Sequence, residues 1–275
     1  QECMAKRLES PSSINTFKQC PRKYYYSYIE KLPTVPNIHQ IRGNIAHSTL
    51  EHFYDVDVSK FNLENYEIEY KKVVQKLLLN QWNKYTPKLD GLNLNKGKIN
   101  FYFEETMFMV MNWCNHFLKD IKSLMEKENI SIPEAFMRLT PIREQKYASD
   151  KYSIRGFIDA IHHYGDEVHI LDYKTNSRFD MKEPIILQLA IYSLLYQEKR
   201  GVLPNKVGIF FLRHKPKYLN VQPEMIELAK KEINAIHTHT SSTENIDDYN
   251  KKITPLCKWS TGQCDYYSTC KPHGK

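Results

Sequence analysis

Two carboxylates and a lysine stand at a spacing that can gather a metal ion and a phosphate. Gly156-Phe157-Ile158-Asp159 is followed, thirteen residues after its aspartate, by Asp172-Tyr173-Lys174. The stretch between, Ala160 to Leu171, is two apolar runs around Gly165-Asp166, the pattern of two strands joined by a hairpin turn. Side chains alternate faces along a strand, so Asp172 and Lys174 point to the same side. Paired carboxylates bind a hard cation such as Mg²⁺ or Mn²⁺ through oxygen, and a neighbouring lysine can orient a water or meet developing negative charge. The chemistry in outline is metal-assisted hydrolysis of a phosphodiester. A bland reading exists for each residue: Asp159 as a hairpin cap, Asp172 with Lys174 as a surface ion pair. Against it, Asp172 follows Val168-His169-Ile170-Leu171, which reads as a strand buried on both faces. A carboxylate buried without a partner is costly, and a metal is a physical reason for one to be there.

The elements around this pair carry further polar groups. Gln188-Leu189-Ala190-Ile191-Tyr192 lies in a helical stretch, and residues four apart share a helix face. Upstream, Arg42-Gly43-Asn44-Ile45-Ala46-His47 opens another helix. A histidine helix, a Gly-x-x-Asp strand, an Asp-x-Lys strand and a Gln-x-x-x-Tyr helix, in that order, resemble the RecB-like branch of the PD-(D/E)xK nuclease superfamily. The resemblance implies a restriction-endonuclease-like α/β core and cleavage of DNA to 5′-phosphate and 3′-hydroxyl ends. It also implies roles: His47, Asp159, Asp172 and the Tyr173 carbonyl as ligands of Mg²⁺ or Mn²⁺, and Lys174 positioning the nucleophile. Gln188 and Tyr192 would orient Lys174 and the DNA backbone. Glu144 matches the acid on the family's first core strand, as a helper in the site or a solvated strand carboxylate.

Cysteine use is uneven: Cys3, Cys20 and Cys114 are scattered, while Cys257, Cys264 and Cys270 crowd the C-terminal end. Thiolates spaced this way can hold zinc or an iron–sulfur cluster, and spacing alone does not separate the two. The trio is similar to that of iron–sulfur nucleases of the RecB-like group, the AddB nuclease domains and CRISPR-associated exonucleases. That resemblance implies a [4Fe–4S] cluster with Cys20, in Gln19-Cys20-Pro21-Arg22-Lys23, as fourth ligand and Cys3 as its substitute. One departure is the six residues between Cys257 and Cys264, a longer gap than the family's. Cys114 falls in an apolar helical stretch and reads as core.

Around these motifs the chain reads as one nuclease domain over residues 1–275. Its expected parts are N-terminal helices (1–56), a helical insertion (57–138), a catalytic α/β core (139–240) and a cysteine-rich segment (241–275). Helices are expected over Pro11–Leu32, Ile41–Val56, Pro184–Gln197 and Pro223–His237, with a polar loop over Lys88–Asn100. Strands are expected over Ile142–Tyr147, Ile154–His162, Glu167–Tyr173 and Val207–Arg213, forming a small mixed sheet flanked by helices. The cluster would join the termini.

A net charge of +7 leans toward a polyanionic partner, which the resemblance makes DNA with single-stranded or free ends. Arg22 and Lys23, among Tyr24, Tyr25, Tyr26 and Tyr28, offer a phosphate-tracking patch, with aromatic packing as the plainer reading. No run approaches the roughly 18 apolar residues of a membrane helix. The start lacks a leader-like apolar run, which points to a cytoplasmic protein. No Gly-x-x-x-x-Gly-Lys-Ser/Thr loop is present, so any helicase partner brings its own motor. Repair or recombination and CRISPR spacer acquisition, with an integration partner, are the expected settings. The alternatives are the nuclease subunit of a helicase–nuclease machine and a noncatalytic DNA-binding scaffold.

Overall fold

A computed structural model describes residues 6–260 and 262–274. The N-terminal half is helical: α1 (Pro11–Gln19), α2 (Pro21–Tyr24) running into a π-turn (Tyr25–Ile29), α3 (Ile38–Phe53), α4 (Tyr66–Lys84), α5 (Thr86–Asp90), α6 (Lys96–Glu128) and α7 (Ile132–Leu139). Strands β1 (Ile142–Ser149), β2 (Ile154–Tyr164) and β3 (Glu167–Lys174) follow, then α8 (Glu183–Arg200), β4 (Lys206–Phe211), β5 (Pro216–Asn220) and α9 (Pro223–Ser242). A small hairpin, β6 (Lys258–Trp259) and β7 (Gly262–Gln263), and α10 (Tyr267–Cys270) close the described chain.

The five larger strands form one mixed sheet in the order β1-β2-β3-β4-β5, antiparallel except for β3 beside β4. That parallel pair needs a crossover, and α8 supplies it. Helices cover both faces. On one, Phe53, Tyr70, Trp113 and Phe136 of α3, α4, α6 and α7 share a core with Ala160, Leu171 and Phe210. On the other, α1, α8 and α9 bring Ile14, Leu189, Ile191 and Ile233 onto Ile158, Ile170, Val207 and Ile209. Residues 66–139 therefore form the cover of one sheet face.

Local chemistry shifts several boundaries from those expected. Ser10 caps α1 in a reciprocal pair with Ser13. The expected single helix over Pro11–Leu32 is broken at Cys20, whose extended backbone (φ −161°, ψ 108°) precedes Pro21. Asn37 and Gln40 cap α3, starting it at Ile38, ahead of the expected Ile41. The expected loop over Lys88–Asn100 holds the end of the short α5 and the first turn of α6, which Asn95 caps through the Lys98 N–H. The edge strand β5 lies outside the expected set: with its Pro216 and two lysine neighbours, it carries no alternating apolar pattern. No helix among the described residues is long and apolar enough to cross a membrane.

Candidate active site

The β2–β3 ladder ends at Ala160 opposite Leu171. Beyond that pair, Asp159 Oδ2 accepts the Tyr173 N–H at 2.8 Å, so a side chain takes over from the backbone where the strands part. β3 continues beside β4, keeping Asp172 opposite Ile209 and Lys174 opposite Phe211. Asp172 is 3 % exposed and Asp159 8 %. The cleft between the strands is thus lined by two buried carboxylates.

The other sequence-derived candidates converge there. His47, on α3, sets Nδ1 3.3 Å from Asp159 Oδ2 and donates from Nε2 to the Tyr173 carbonyl at 2.9 Å. Lys174 Nζ lies 2.8 Å from Asp172 Oδ2. From α8, Gln188 donates to Asp172 Oδ1 at 3.0 Å and to the Tyr192 hydroxyl at 2.9 Å, and that hydroxyl reaches the same Oδ1 at 3.5 Å. Glu144 sits opposite Asp159, in the register that pairs Arg143 with Ala160 and Gln145 with Ile158. Its φ of 46° puts a non-glycine residue in the left-handed region, strain of the kind that clusters at functional sites.

Ligand atoms of His47, Glu144 and Asp159 all lie within 4.8 Å of one another. This differs from the expected set in two respects. Glu144 joins it, while Asp172 and the Tyr173 carbonyl are engaged by Lys174 and His47 respectively. Asp172 Oδ2 meets Lys174 as an ion pair without a well-directed hydrogen bond, leaving lone-pair capacity for a cation. Oxygen-rich donors plus one imidazole suit a hard or borderline divalent ion.

Electrostatics bind the group together. Burial works against charge on His47, but the Asp159 carboxylate outweighs it and lifts the imidazole to about 9. Burial and the Asp159 charge push Glu144 up to about 7. Burial raises Asp172 against the pull of Lys174. Lys174 itself is raised: the cost of burying its ammonium is overcome by Asp172. It is therefore a fixed cation here, suited to meeting negative charge rather than to taking a proton.

Two residues around the cleft have roles that the sequence does not reveal. Glu105, from the N-terminal third of α6, bonds Arg42 at 2.6 Å and Arg213 at 2.8 and 3.2 Å, and Arg213 Nε reaches the Thr175 carbonyl at 3.3 Å. This ion-pair network ties the helical cover to the end of β3, and only Arg42, next to Gly43, lies in a recognised motif. Gly156 is the second: a Cβ there would stand 3.1 Å from Tyr192 Cε1 and from Leu195 Cδ1. The missing side chain lets α8 lie close enough for Gln188 to reach Asp172.

Four of the cysteines gather away from this cleft. Cys20, Cys257, Cys264 and Cys270 line one pocket, and all four are free thiols. The long gap between Cys257 and Cys264 is taken up by the β6–β7 hairpin, closed by the Cys264 N–H on the Cys257 carbonyl at 2.9 Å. Cys3 lies outside the described residues. Cys114 is fully buried, and burial pushes its thiol up to about 12, as core placement predicts. The tyrosines after Arg22 are packing groups: Tyr24 and Tyr26 are buried, and Tyr24 stacks on Tyr249 at 6.3 Å.

The family profile of the PD-(D/E)XK nuclease superfamily matches residues 9–271. The chain belongs to this superfamily. Its five-stranded mixed sheet between helices is the restriction-endonuclease-like α/β fold, and the family makes it a nuclease. Among solved structures it is similar to one from Eubacterium rectale described as a "putative exonuclease", at 10% identity and a TM-score of 0.48, covering 96% of this chain and 93% of that one. No curated protein matches the chain.

Proposed function

We propose that this nuclease is a divalent-metal-dependent deoxyribonuclease that hydrolyses DNA from ends, single-stranded ends first. The observation that carries the metal-dependent part is the convergence of His47, Glu144 and Asp159 within 4.8 Å, with the Asp172–Lys174 pair beside them. The preference for DNA ends rests on the RecB-like motif order, as do repair, recombination or CRISPR spacer acquisition as settings and a helicase or integration partner.

His47, Glu144, Asp159 and Asp172 would hold Mg²⁺ or Mn²⁺, with the Tyr173 carbonyl available once His47 turns to the metal. When bound, the cation supplies Lewis acidity to the scissile phosphate and to the attacking water. Lys174 places a fixed positive charge where negative charge builds on phosphorus-bound oxygens. Gln188 and Tyr192 hold Asp172 by its Oδ1, which keeps Oδ2 turned to Lys174. The low exposure of both aspartates limits competing water and strengthens these charges.

We assign Cys20, Cys257, Cys264 and Cys270 to a [4Fe–4S] cluster. Four free thiols on one pocket are a complete soft-donor shell, and a cluster there would clasp α2 to the C-terminal segment.

The test is cleavage of end-labelled linear and circular DNA by purified protein. With Mg²⁺ or Mn²⁺, linear single strands should be degraded and circles spared. EDTA and Asp172→Ala should each abolish the reaction. Equal cutting of circles would remove the end requirement, and wild-type activity in Asp172→Ala would reject the site.

A further inference from the structure

A second cavity, of about 100 Å³, lies between α6 and the sheet. Leu171 and Tyr173 line it, so by strand alternation it is on the face opposite Asp172 and Lys174. Its walls are aromatic. The rings of Tyr54 and Trp113 meet nearly at right angles at 6.0 Å, and Tyr173 and Phe210 lie 6.4 Å apart. Tyr164 and Tyr218, 40% and 38% exposed, stand at the rim.

The polar groups in this box share one character. His162 is 8% exposed and stacks on Tyr164 at 5.6 Å. Its ring donates to the Leu139 backbone, a carbonyl that can only accept, while Nδ1 has no partner. With the proton on the other nitrogen, Nδ1 is an acceptor. Asp120 lies on the α6 wall with the charges of His116 and Lys119 nearby, yet forms no hydrogen bond or ion pair among the described residues. His116 packs edge-on against Phe210 at 5.3 Å.

We propose that this cavity binds an organic cation, an alkylammonium or guanidinium group. Aromatic faces attract positive charge, and His162 Nδ1 and Asp120 call for N–H donors. A hydrocarbon would leave both acceptors unpaired, and a phosphate would meet the Asp120 carboxylate. The cation comes either from a free polyamine or from a lysine or arginine side chain of a bound peptide. Nothing in this inference depends on the nuclease chemistry.

The experiment is calorimetric titration of the full chain, with tryptophan fluorescence following Trp113. The probes are 3,3-dimethylbutylamine (protonated at neutral pH), its neutral isostere 3,3-dimethylbutan-1-ol, spermidine, an oligolysine peptide and adenosine. The amine or spermidine should bind saturably and the alcohol at least about tenfold more weakly, the size of a desolvated cation–π contact. Tyr164→Ala, Tyr218→Ala and Asp120→Asn, all at exposed positions, should each weaken binding by about 2- to 30-fold. Asp172→Asn, on the other face, should leave it intact. Spermidine without oligolysine identifies the free polyamine as the source, and oligolysine binding identifies a peptide. Equal affinity for the alcohol, adenosine binding in place of the cations, or no saturable cation binding at millimolar concentration would overturn the proposal.

Discussion

The Asp159 carboxylate accepts the backbone N–H of Tyr173 at 2.8 Å, just past the last paired residues of β2 and β3. One side chain thus stands in for a strand neighbour and is pinned to the strand that carries Asp172 and Lys174. Structural and electrostatic roles can be separated by substitution. Asp159→Asn keeps an acceptor oxygen for the Tyr173 N–H but removes the charge that holds His47 protonated, so it should lose Mn²⁺ affinity and lower the His47 titration from about 9. Asp159→Ala removes both, and should also lose about 1–3 kcal/mol through the unpaired Tyr173 N–H. Calorimetric Mn²⁺ titration and chemical unfolding of the two variants check this; equal stabilities would deny the structural role.

Lys174 and Asp172 should fail differently. In Lys174→Ala the Asp172 carboxylate keeps only Gln188 and Tyr192 as partners, a buried charge without its cation. Metal-free stability should fall by about 3–5 kcal/mol. Saturating Mg²⁺ should restore much of it, because the metal replaces the missing charge. Turnover should stay about 10²- to 10³-fold low, since the cation beside the reacting phosphate is gone. Stability that ignores Mg²⁺ in this variant would place the metal elsewhere.

His47 gives the site a pH signature. Without metal its imidazole is lifted to about 9, so it is protonated at neutral pH, and a ligand must be neutral. Metal binding must therefore expel a proton below pH 9. Apparent Mn²⁺ affinity should rise with pH up to about 9 and then level. Glu144, lifted to about 7, steepens the rise below that pH. His47→Ala should weaken affinity and flatten the slope between pH 7 and 9, whereas exposed His52, bonded to the Ser48 carbonyl, can be changed without effect. A slope unchanged in His47→Ala would take it out of the ligand set.

The strands of the candidate site were legible because the motif residues there also set the fold: the Gly165 turn, the apolar runs and the Asp-x-Lys alternation each fix geometry locally. Asp159, Asp172, Lys174, His47, Gln188 and Tyr192 fall together in space as the motif order implies. What the sequence hid is long-range. Glu105 gathers Arg42 and Arg213 from elements 63 and 108 residues away, and nothing near Glu105 marks it. Gly156 is visible as a motif letter, but its reason, the approach of Tyr192 and Leu195, exists only after α8 docks. The break at Cys20 is hidden in another way: helical periodicity runs through it, and Pro21 decides the matter by disfavouring helix in the residue before.

The cysteine pocket makes the last prediction, and Cys257 is where it is sharpest. Its carbonyl accepts the Cys264 N–H, so the β6–β7 hairpin joins the backbones of the first two cysteines of the trio despite their separation in sequence. Anaerobically prepared protein should be brown and hold about four iron atoms per chain. Cys20→Ser, Cys257→Ser, Cys264→Ser and Cys270→Ser should each lose most of that iron and unfold at lower temperature. The loss of stability follows because Cys20 and the trio belong to distant parts of the chain, and releasing them reopens a long loop. Cys114→Ser should keep its iron, since that thiol is buried in the helical core. Full iron in Cys257→Ser would show that the hairpin places a bystander there, and stoichiometric zinc without iron would reject the cluster.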